Sequence, residues 1–208
     1  MALEMAFGIP VYTEKLIFDF SKLHQYTKTI KPNGDEEDGL GMTKTVRFLD
    51  DYKLFEIKAK LQECFDNFFV NILGGHPGCM PTISTSWLTY QKQGSHNNKH
   101  KHMNSWFSGV LYFDNDYTDA SVLELKNPLV NYTSWTVDVD MRFRETNELN
   151  VVPEPNKLVL FPSYLFHTTS DQVSNKTRHS LAFNVLPQRA GAYEWSYDSQ
   201  FDIEWLSS

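Results

Sequence analysis

The first third of the chain contains a clear helical pattern of hydrophobic positions. Between residues 50 and 73 apolar side chains recur at spacings of three and four, which predicts one amphipathic helix with a single apolar stripe. We expect Asp50 or Asp51 to cap its N-terminus, and Gly74-Gly75 to end it. A less regular pattern predicts another helix over 18–30, after a short strand within 8–16.

After Pro81 the period changes to two, which is typical of strands. The clearest alternation runs over 134–144, where Trp, Val, Met and Phe alternate with Thr, Asp and Arg. Other strands are predicted over 84–91, 106–113, 121–125, 157–161 and 178–186.

Short strands that follow a helical N-terminal third predict a mainly β fold with flanking helices, either a jelly roll or a sandwich, with the N-terminal helices packed on the outside. The 208 residues contain no internal repeat or linker, so we expect a single domain. Its parts would be helical support over about 1–80, a β core over about 81–190 and a tail over 191–208.

Charge and composition narrow the range of partners. A net charge of −7 argues against sequence-independent binding to nucleic acid, which requires a basic surface. No apolar run reaches the length of a membrane span, and the opening residues lack a secretory signal pattern. We therefore expect a cytoplasmic protein that binds neither nucleic acid nor membrane.

The candidate chemistry begins with a pair of histidines. His100 and His102 stand two residues apart where a predicted strand begins, so both rings would point to one side. His167 follows an apolar run and is the best-placed third imidazole, which gives a metal site with open positions. The alternatives are a solvated polar loop for the pair, since 94–99 is strongly polar, and a hydrogen-bonded core residue for His167.

A cationic position follows on the predicted strand 178–186. Arg178, Ser180, Ala182 and Asn184 share one face of that strand, and the planar fork of an arginine matches a carboxylate. The alternative is an internal salt bridge to one of the 26 acidic residues.

These residues as a set resemble the Fe(II)/2-oxoglutarate-dependent dioxygenases. The pattern is similar to a group of prolyl-hydroxylase-like oxygenases common in marine phages and bacteria, and it covers about residues 84–187. The matching segments are His100-x-His102, Ser108-Gly109-Val110-Leu111-Tyr112, Leu160-Phe161-Pro162-Ser163 with His167, Arg178-x-Ser180, and Phe183-Asn184.

The resemblance implies a double-stranded β-helix and a defined set of roles. His100, His102 and His167 would be the iron ligands and the catalytic centre. Arg178 would bind the distal carboxylate of 2-oxoglutarate, helped by Ser180 and Tyr112, and we assign Asn184 to the same co-substrate site. If the chain is phage-encoded, its location would be the host cytoplasm.

One position departs from the superfamily pattern. Where most members have Asp or Glu, this chain has His102, which leaves the iron site one unit more positive. A carboxylate could instead reach the metal from Asp114, Asp116 or Asp119. His96 could support the site or be exposed. We expect a three-histidine site.

The implied reaction uses O2 and 2-oxoglutarate to hydroxylate a peptidyl or free amino-acid side chain, with release of succinate and CO2. One alternative is a zinc hydrolase or hydratase, or a cupin-type metalloenzyme, that uses the same histidines. Another is a non-enzymatic β-sandwich binding module.

Overall fold

The computed structural model describes residues 8–32, 39–76, 79, 81–128, 148–187, 189–190 and 201–202. The strands are β1 (Tyr12–Lys15), β2 (Lys31–Pro32), β3 (Leu40–Met42), β4 (Pro81–Gln91), β5 (Phe107–Tyr112), β6 (Leu123–Lys126), β7 (Glu148–Val151), β8 (Lys157–Pro162), β9 (His167–Thr169), β10 (Arg178–Pro187), β11 (Arg189–Ala190) and β12 (Phe201–Asp202). The helical segments are a 3-10 helix (Ser21–Thr29), α1 (Phe48–Asp51), α2 (Phe55–Asp66) and a π-helix (Asn67–Ile72).

Two antiparallel sheets form the body of the described chain. The larger has seven strands in the order β1-β8-β5-β10-β4-β3-β2, and the smaller has the order β7-β6-β9. The predicted mainly β fold with few helices is confirmed. The predicted strand over 134–144 and most of the tail 191–208 lie outside the described residues.

Strict alternation along β10 gives the larger sheet two different faces. Pairing with β4 sets Arg178 opposite Gln91 and Ser180 opposite Thr89. This face looks toward the smaller sheet, because buried side chains of both sheets, including Tyr112, form one apolar cluster there. The opposite face carries the larger hydrophobic core.

The larger core lies between the helices and the outer face of the seven-stranded sheet. Phe65 and Phe68 meet the ring of Phe107 on β5 edge to face, with ring centroids 5.5 and 5.6 Å apart. Phe183 lies over Gly109, where a Cβ atom would come within 2.1 Å of the ring, so no larger residue fits there without movement. The apolar stripe of the predicted helix therefore packs on the outside of the sheet, as expected.

The predicted helix over 50–73 is interrupted. α1 ends at Asp51, and Lys53 takes a left-handed conformation with φ 55° before α2 begins at Phe55. The predicted cap is wrong, because Asp50 and Asp51 lie within α1 and neither caps a helix through its side chain. Asp50 instead accepts a hydrogen bond from Lys58 Nζ at 2.6 Å, and Asp51 accepts one from Thr45. The expected stop is present, with Gly74 at φ 70°.

The other predicted helix, over 18–30, is a 3-10 helix whose residue Leu23 is fully buried. None of the helices in the described parts of the chain is long and apolar enough to cross a membrane.

A β-bulge interrupts the pairing of β4 with β10. Asn184 pairs with Thr85, but the next residue, Val185, pairs with Ile83, so Ser84 is an extra residue on β4. The extra residue reverses the alternation of β4 at this point. Ile83 is thereby buried in the helix-side core, while Thr85 keeps the opposite face.

Candidate active site

Backbone pairing brings the three histidines together from distant parts of the chain. His100 and His167 exchange two main-chain hydrogen bonds, N to O at 2.9 and 2.8 Å, which joins the approach to β5 to the first residue of β9. The amide of His102 donates to the carbonyl of Ser163 at 3.0 Å. The histidines are thus held at the join between the two sheets.

The side chains of His100, His102 and His167 form a compact cluster. One ring nitrogen from each lies within 4.8 Å of the others, and the ring centroids are 4.2 to 5.3 Å apart. Among the described residues this is the one group of three or more His, Cys, Asp or Glu side chains close enough to share a metal ion.

Each imidazole is oriented by an oxygen atom behind it. Nδ1 of His100 lies 2.7 Å from the carbonyl oxygen of Asn98, and Nδ1 of His167 lies 3.0 Å from that of Leu165. Nδ1 of His102 lies 2.8 Å from Oδ1 of Asn184. Because these oxygens can only accept, each Nδ1 carries the proton and each Nε2 keeps a lone pair, which is the form that binds a metal.

Burial favours the neutral form of two of these rings. Desolvation, with a smaller contribution from the neighbouring His100, lowers the pKa of His167 to about 4. Burial also lowers the pKa of His102, partly opposed by its hydrogen bond to Asn184. Neutral imidazoles are the ligating form, so the cluster is prepared for a cation at neutral pH.

The carboxylates considered as substitutes for His102 are occupied elsewhere or lie outside the cluster. Asp114 accepts hydrogen bonds from the amide and ring of His179, and Asp116 pairs with Lys176. Asp119 is not part of the cluster either.

Other histidines of the described chain lie outside the cluster. His24 lies near Asp114, 3.7 Å from its carboxylate, on the side where His179 also points. His96 is an exposed residue that pairs with Asp171 at 2.9 Å.

Arg178 is a buried cation without an acidic partner among the described residues. It is 6% exposed, and its guanidinium donates to Tyr112 Oη at 3.1 Å and to Gln91 Oε1 at 3.3 Å. Its Nε has no hydrogen-bond partner in the described structure. The internal salt bridge offered as an alternative is not formed within that part of the chain, and a buried charge in this condition requires an anion.

One cavity joins the cation and the histidines. It has a volume of about 100 Å³, and the three histidines, Arg178 and Tyr112 all line it. Ser180 lines it as well, and its hydroxyl lies 2.8 Å from that of Thr89. The cavity therefore offers three imidazole lone pairs in one region and a guanidinium in another.

Asn184 takes a different place from the one predicted. It lies on the same face of β10 as Arg178, but it does not line the cavity. Its side chain instead contacts His102, Ser108 and Thr85.

Sequence reasoning missed three residues of the site, all on β4. Gln91 and Thr89 contact the side chains of Arg178 and Ser180, and Trp87 stacks on the ring of His102 with centroids 5.7 Å apart. The alternation of β4 places all three on one face. What the sequence lacks is the register that sets this face beside β10.

Comparison with known proteins agrees with this geometry. The family model described as "Putative 2OG-Fe(II) oxygenase" matches residues 85–184. No curated protein sequence matches the chain.

Solved structures with the same fold include members of that superfamily. An oxidoreductase of the 2OG-Fe(II) oxygenase family from Burkholderia pseudomallei is 11% identical, with TM-score 0.57, over 80% of this chain and 77% of its own. A prolyl-4-hydroxylase from Pseudomonas putida is 13% identical, with TM-score 0.52, over 86% and 92%. HygX from Streptomyces hygroscopicus, solved with nickel, 2-oxoglutarate and hygromycin B, is 11% identical, with TM-score 0.54, over 86% and 83%.

At these identities the structural likeness establishes the fold, which is the jelly roll that the sequence predicted. The sequence match is independent of it and spans the three histidines, Tyr112 and Arg178. Residues 85–184 of this chain, just under half of its length, therefore match the 2OG-Fe(II) oxygenase family in sequence, and the described chain resembles members of that family in fold.

Proposed function

We propose that the chain is a non-haem Fe(II)- and 2-oxoglutarate-dependent dioxygenase. His100, His102 and His167 would hold the metal through Nε2, and Arg178, with Ser180 and Tyr112, would bind the distal carboxylate of 2-oxoglutarate. The proposal includes hydroxylation of a peptidyl or free amino-acid side chain as the reaction.

The observation that carries the proposal is the shared cavity. A buried arginine without a carboxylate partner among the described residues faces the same space as three oriented imidazoles. A zinc hydrolase would use the imidazoles but would leave Arg178 without a function. A dicarboxylate that chelates a metal at one end and meets a guanidinium at the other uses both features.

Charge balance supports the same ligand. Three neutral imidazoles leave the +2 charge of Fe(II) unchanged, and the chelating carboxylate of 2-oxoglutarate would lower it to +1. Arg178 then supplies a cation for the distal carboxylate, with Tyr112 Oη already hydrogen-bonded to the guanidinium.

The protein's own residues would bind, orient and shield the reactants. Nδ1 hydrogen bonds fix the ligand rings, and Trp87 and Phe161 cover the rings of His102 and His167. When bound, Fe(II) with 2-oxoglutarate and O2 supplies the oxidation, in which one oxygen atom enters the substrate C–H bond and the other enters succinate as CO2 leaves.

An amino-acid side chain is the proposed substrate because the sequence pattern resembles prolyl-hydroxylase-like members, and a prolyl-4-hydroxylase is among the structural neighbours. The fold alone does not select this class, since HygX was solved with hygromycin B. A screen of amino acids and proline-containing peptides for substrate-stimulated release of succinate tests this part separately.

The decisive experiment is an anaerobic titration of the metal-free protein with Fe(II), with and without 2-oxoglutarate. We expect a weak visible charge-transfer band only when both are present, and its loss in Arg178→Ala. His96→Ala is the matched control, because His96 is an exposed histidine outside the cluster, and it should keep the band. Tight one-to-one zinc binding with no effect of 2-oxoglutarate would overturn the proposal.

A further inference from the structure

Asn184 is buried directly behind one of the three histidines. It is 8% exposed and sits on β10 six residues after Arg178, at the position that pairs with Thr85 immediately before the bulge. Because it does not line the cavity, it is placed to act through His102 rather than on a ligand in the cavity.

The amide of Asn184 has a defined orientation. Its Oδ1 accepts from Ser108 Oγ at 2.9 Å and lies 2.8 Å from Nδ1 of His102, while its Nδ2 donates to Thr85 Oγ1 at 3.1 Å. Since Ser108 donates to Oδ1, the hydroxyl of Ser163, 2.8 Å from Ser108 Oγ, is the donor in that contact. The hydrogen bonds from Ser163, Ser108 and His102 thus run toward Oδ1, while Nδ2 donates outward to Thr85.

The orientation of the amide decides which nitrogen of His102 can bind a metal. With Oδ1 toward the ring, Nδ1 must carry the proton and Nε2 keeps its lone pair. The opposite orientation would present two N–H donors to Nδ1 and move the ring proton to Nε2, which would remove the ligand. In the structure Oδ1 faces both His102 and Ser108 while Nδ2 faces Thr85, which is the orientation that leaves Nε2 of His102 available to a metal.

A second anchor holds the main chain of the same histidine. The amide of His102 donates to the carbonyl of Ser163, whose hydroxyl belongs to the chain of bonds that ends on Asn184. Ring and backbone of His102 are therefore fixed by one connected group of residues from β5, β10 and the turn after β8.

We infer that Asn184 is a positioning residue that, with Ser108 and Ser163, sets the tautomer and direction of His102 and so completes the three-histidine metal site. This inference rests on the ligand role given to His102 in the proposed function. An amide acceptor also adds no charge behind the ring, so the site keeps the full +2 charge of its metal for the chelating carboxylate.

Cobalt titration of the metal-free protein tests the inference without any turnover. Co(II) has visible bands that report both affinity and geometry. For Asn184→Ala we expect the Co(II) Kd to rise roughly 10- to 100-fold, with altered bands, because the ring loses the group that orients it.

The variants Asn184→Leu and Asn184→Asp separate orientation from packing. Leucine is of similar size but has no acceptor, so Asn184→Leu should lose Co(II) affinity as Asn184→Ala does, whereas aspartate keeps the acceptor. A carboxylate accepts from His102 and Ser108 as the amide does, and Thr85 can donate to its other oxygen. We therefore expect Asn184→Asp to restore the parent Co(II) affinity or exceed it. With Fe(II) and 2-oxoglutarate, its charge-transfer band should move to longer wavelength, because the more basic imidazole donates more strongly to the metal.

Two further variants complete the design. Ser108→Ala removes one donor to Oδ1 but keeps the bond to His102, so its loss of affinity should be smaller than that of Asn184→Ala. Ser84→Ala removes only a hydrogen bond to the main-chain carbonyl of Asn184, at 3.2 Å, and should bind Co(II) like the parent. Thermal unfolding of each metal-free variant identifies any that fails to fold.

The outcomes are distinct. Unchanged Co(II) affinity and spectrum in Asn184→Ala would overturn the inference. Parent-like affinity in Asn184→Leu would also overturn it, because it would show that the side chain only fills space, and so would a loss that Asn184→Asp does not restore. If the parent binds Co(II) but 2-oxoglutarate produces no band with Fe(II), the proposed function fails, and the cobalt comparison still decides the role of Asn184.

Discussion

The two ends of the cavity are built on different physical principles. At the histidine end, burial lowers the pKa values of His102 and His167, so the two rings stay neutral and can bind a cation. At the other end Arg178 keeps its charge at any ordinary pH, although it is about as buried as His167 (6% against 7%).

They also differ in construction. The histidines come from the approach to β5 and from β9, and they meet across the join of the two sheets. Arg178 and its neighbours Gln91 and Tyr112 come from adjacent strands of the larger sheet alone. The comparison teaches that one cavity can select a cation by withholding protons and an anion by burying a permanent charge.

The largest expected effect comes from a substitution that disrupts only the histidine end of the cavity. His167→Ala removes one of three ligands, so we expect one-to-one metal binding to be lost in equilibrium titrations of the metal-free protein. His96→Ala should bind metal like the parent. Metal binding by His167→Ala at the parent affinity would show that His167 is a core residue and not a ligand.

The pH dependence of the metal-free protein sharpens the same contrast. Unfolded His167 takes up a proton below about pH 6.5, but the folded ring does so only near 4, so the unfolded state binds more protons between these values. The free energy of unfolding should therefore fall as pH falls from about 6.5 to about 4, by at most about 3 kcal/mol from this residue.

Urea unfolding in the presence of a chelator at several pH values measures this effect. In His167→Gln the fall should be smaller by the contribution of this ring. The same pH dependence in both proteins would show that the ring is not kept neutral by burial.

Arg178→Lys disrupts the arginine end of the cavity but keeps a positive charge at position 178. Lysine cannot present the planar fork that contacts Tyr112 and Gln91, so we expect the Kd for 2-oxoglutarate to rise by roughly 10- to 100-fold, the equivalent of a lost charged hydrogen bond. The Kd for the metal alone should stay within about twofold of the parent. A metal affinity that falls equally would mean that the two ends are not independent.

Ser180→Ala is expected to have the smallest effect. The hydroxyl of Ser180 lines the cavity and bonds to Thr89, so its loss should weaken 2-oxoglutarate binding by about 1 kcal/mol, or several-fold. Thr89→Ser keeps a hydroxyl at the partner position and should bind like the parent. Competition titrations at fixed metal concentration measure both.

The parts of the site that depend on local order along the chain could be predicted from the sequence. The spacing of His100 and His102 predicted two rings on one side, and both lie in the cluster with His167. The alternation of β10 correctly placed Arg178 and Ser180 on the face of the cavity.

Features that depend on pairing between distant strands could not be predicted. The contacts of Gln91 and Trp87 with the site follow from the register of β4, which no local pattern specifies. The same holds for Asn184, whose face was predicted correctly but whose partner, His102, lies 82 residues away. The break between α1 and α2 turns on Lys53, a residue type with no preference for a left-handed conformation.

The bulge at Ser84 lets a single strand serve two environments. Ile83, on one side of it, belongs to the helix-packed core, and Thr85, on the other, holds the amide of Asn184. If Ser84 were deleted, the composition of the chain would hardly change. Ile83 or Thr85 would then have to place its side chain on the opposite face of the sheet from the one it now occupies. Length at this point is therefore as much a part of the proposed metal site as the identity of the three histidines.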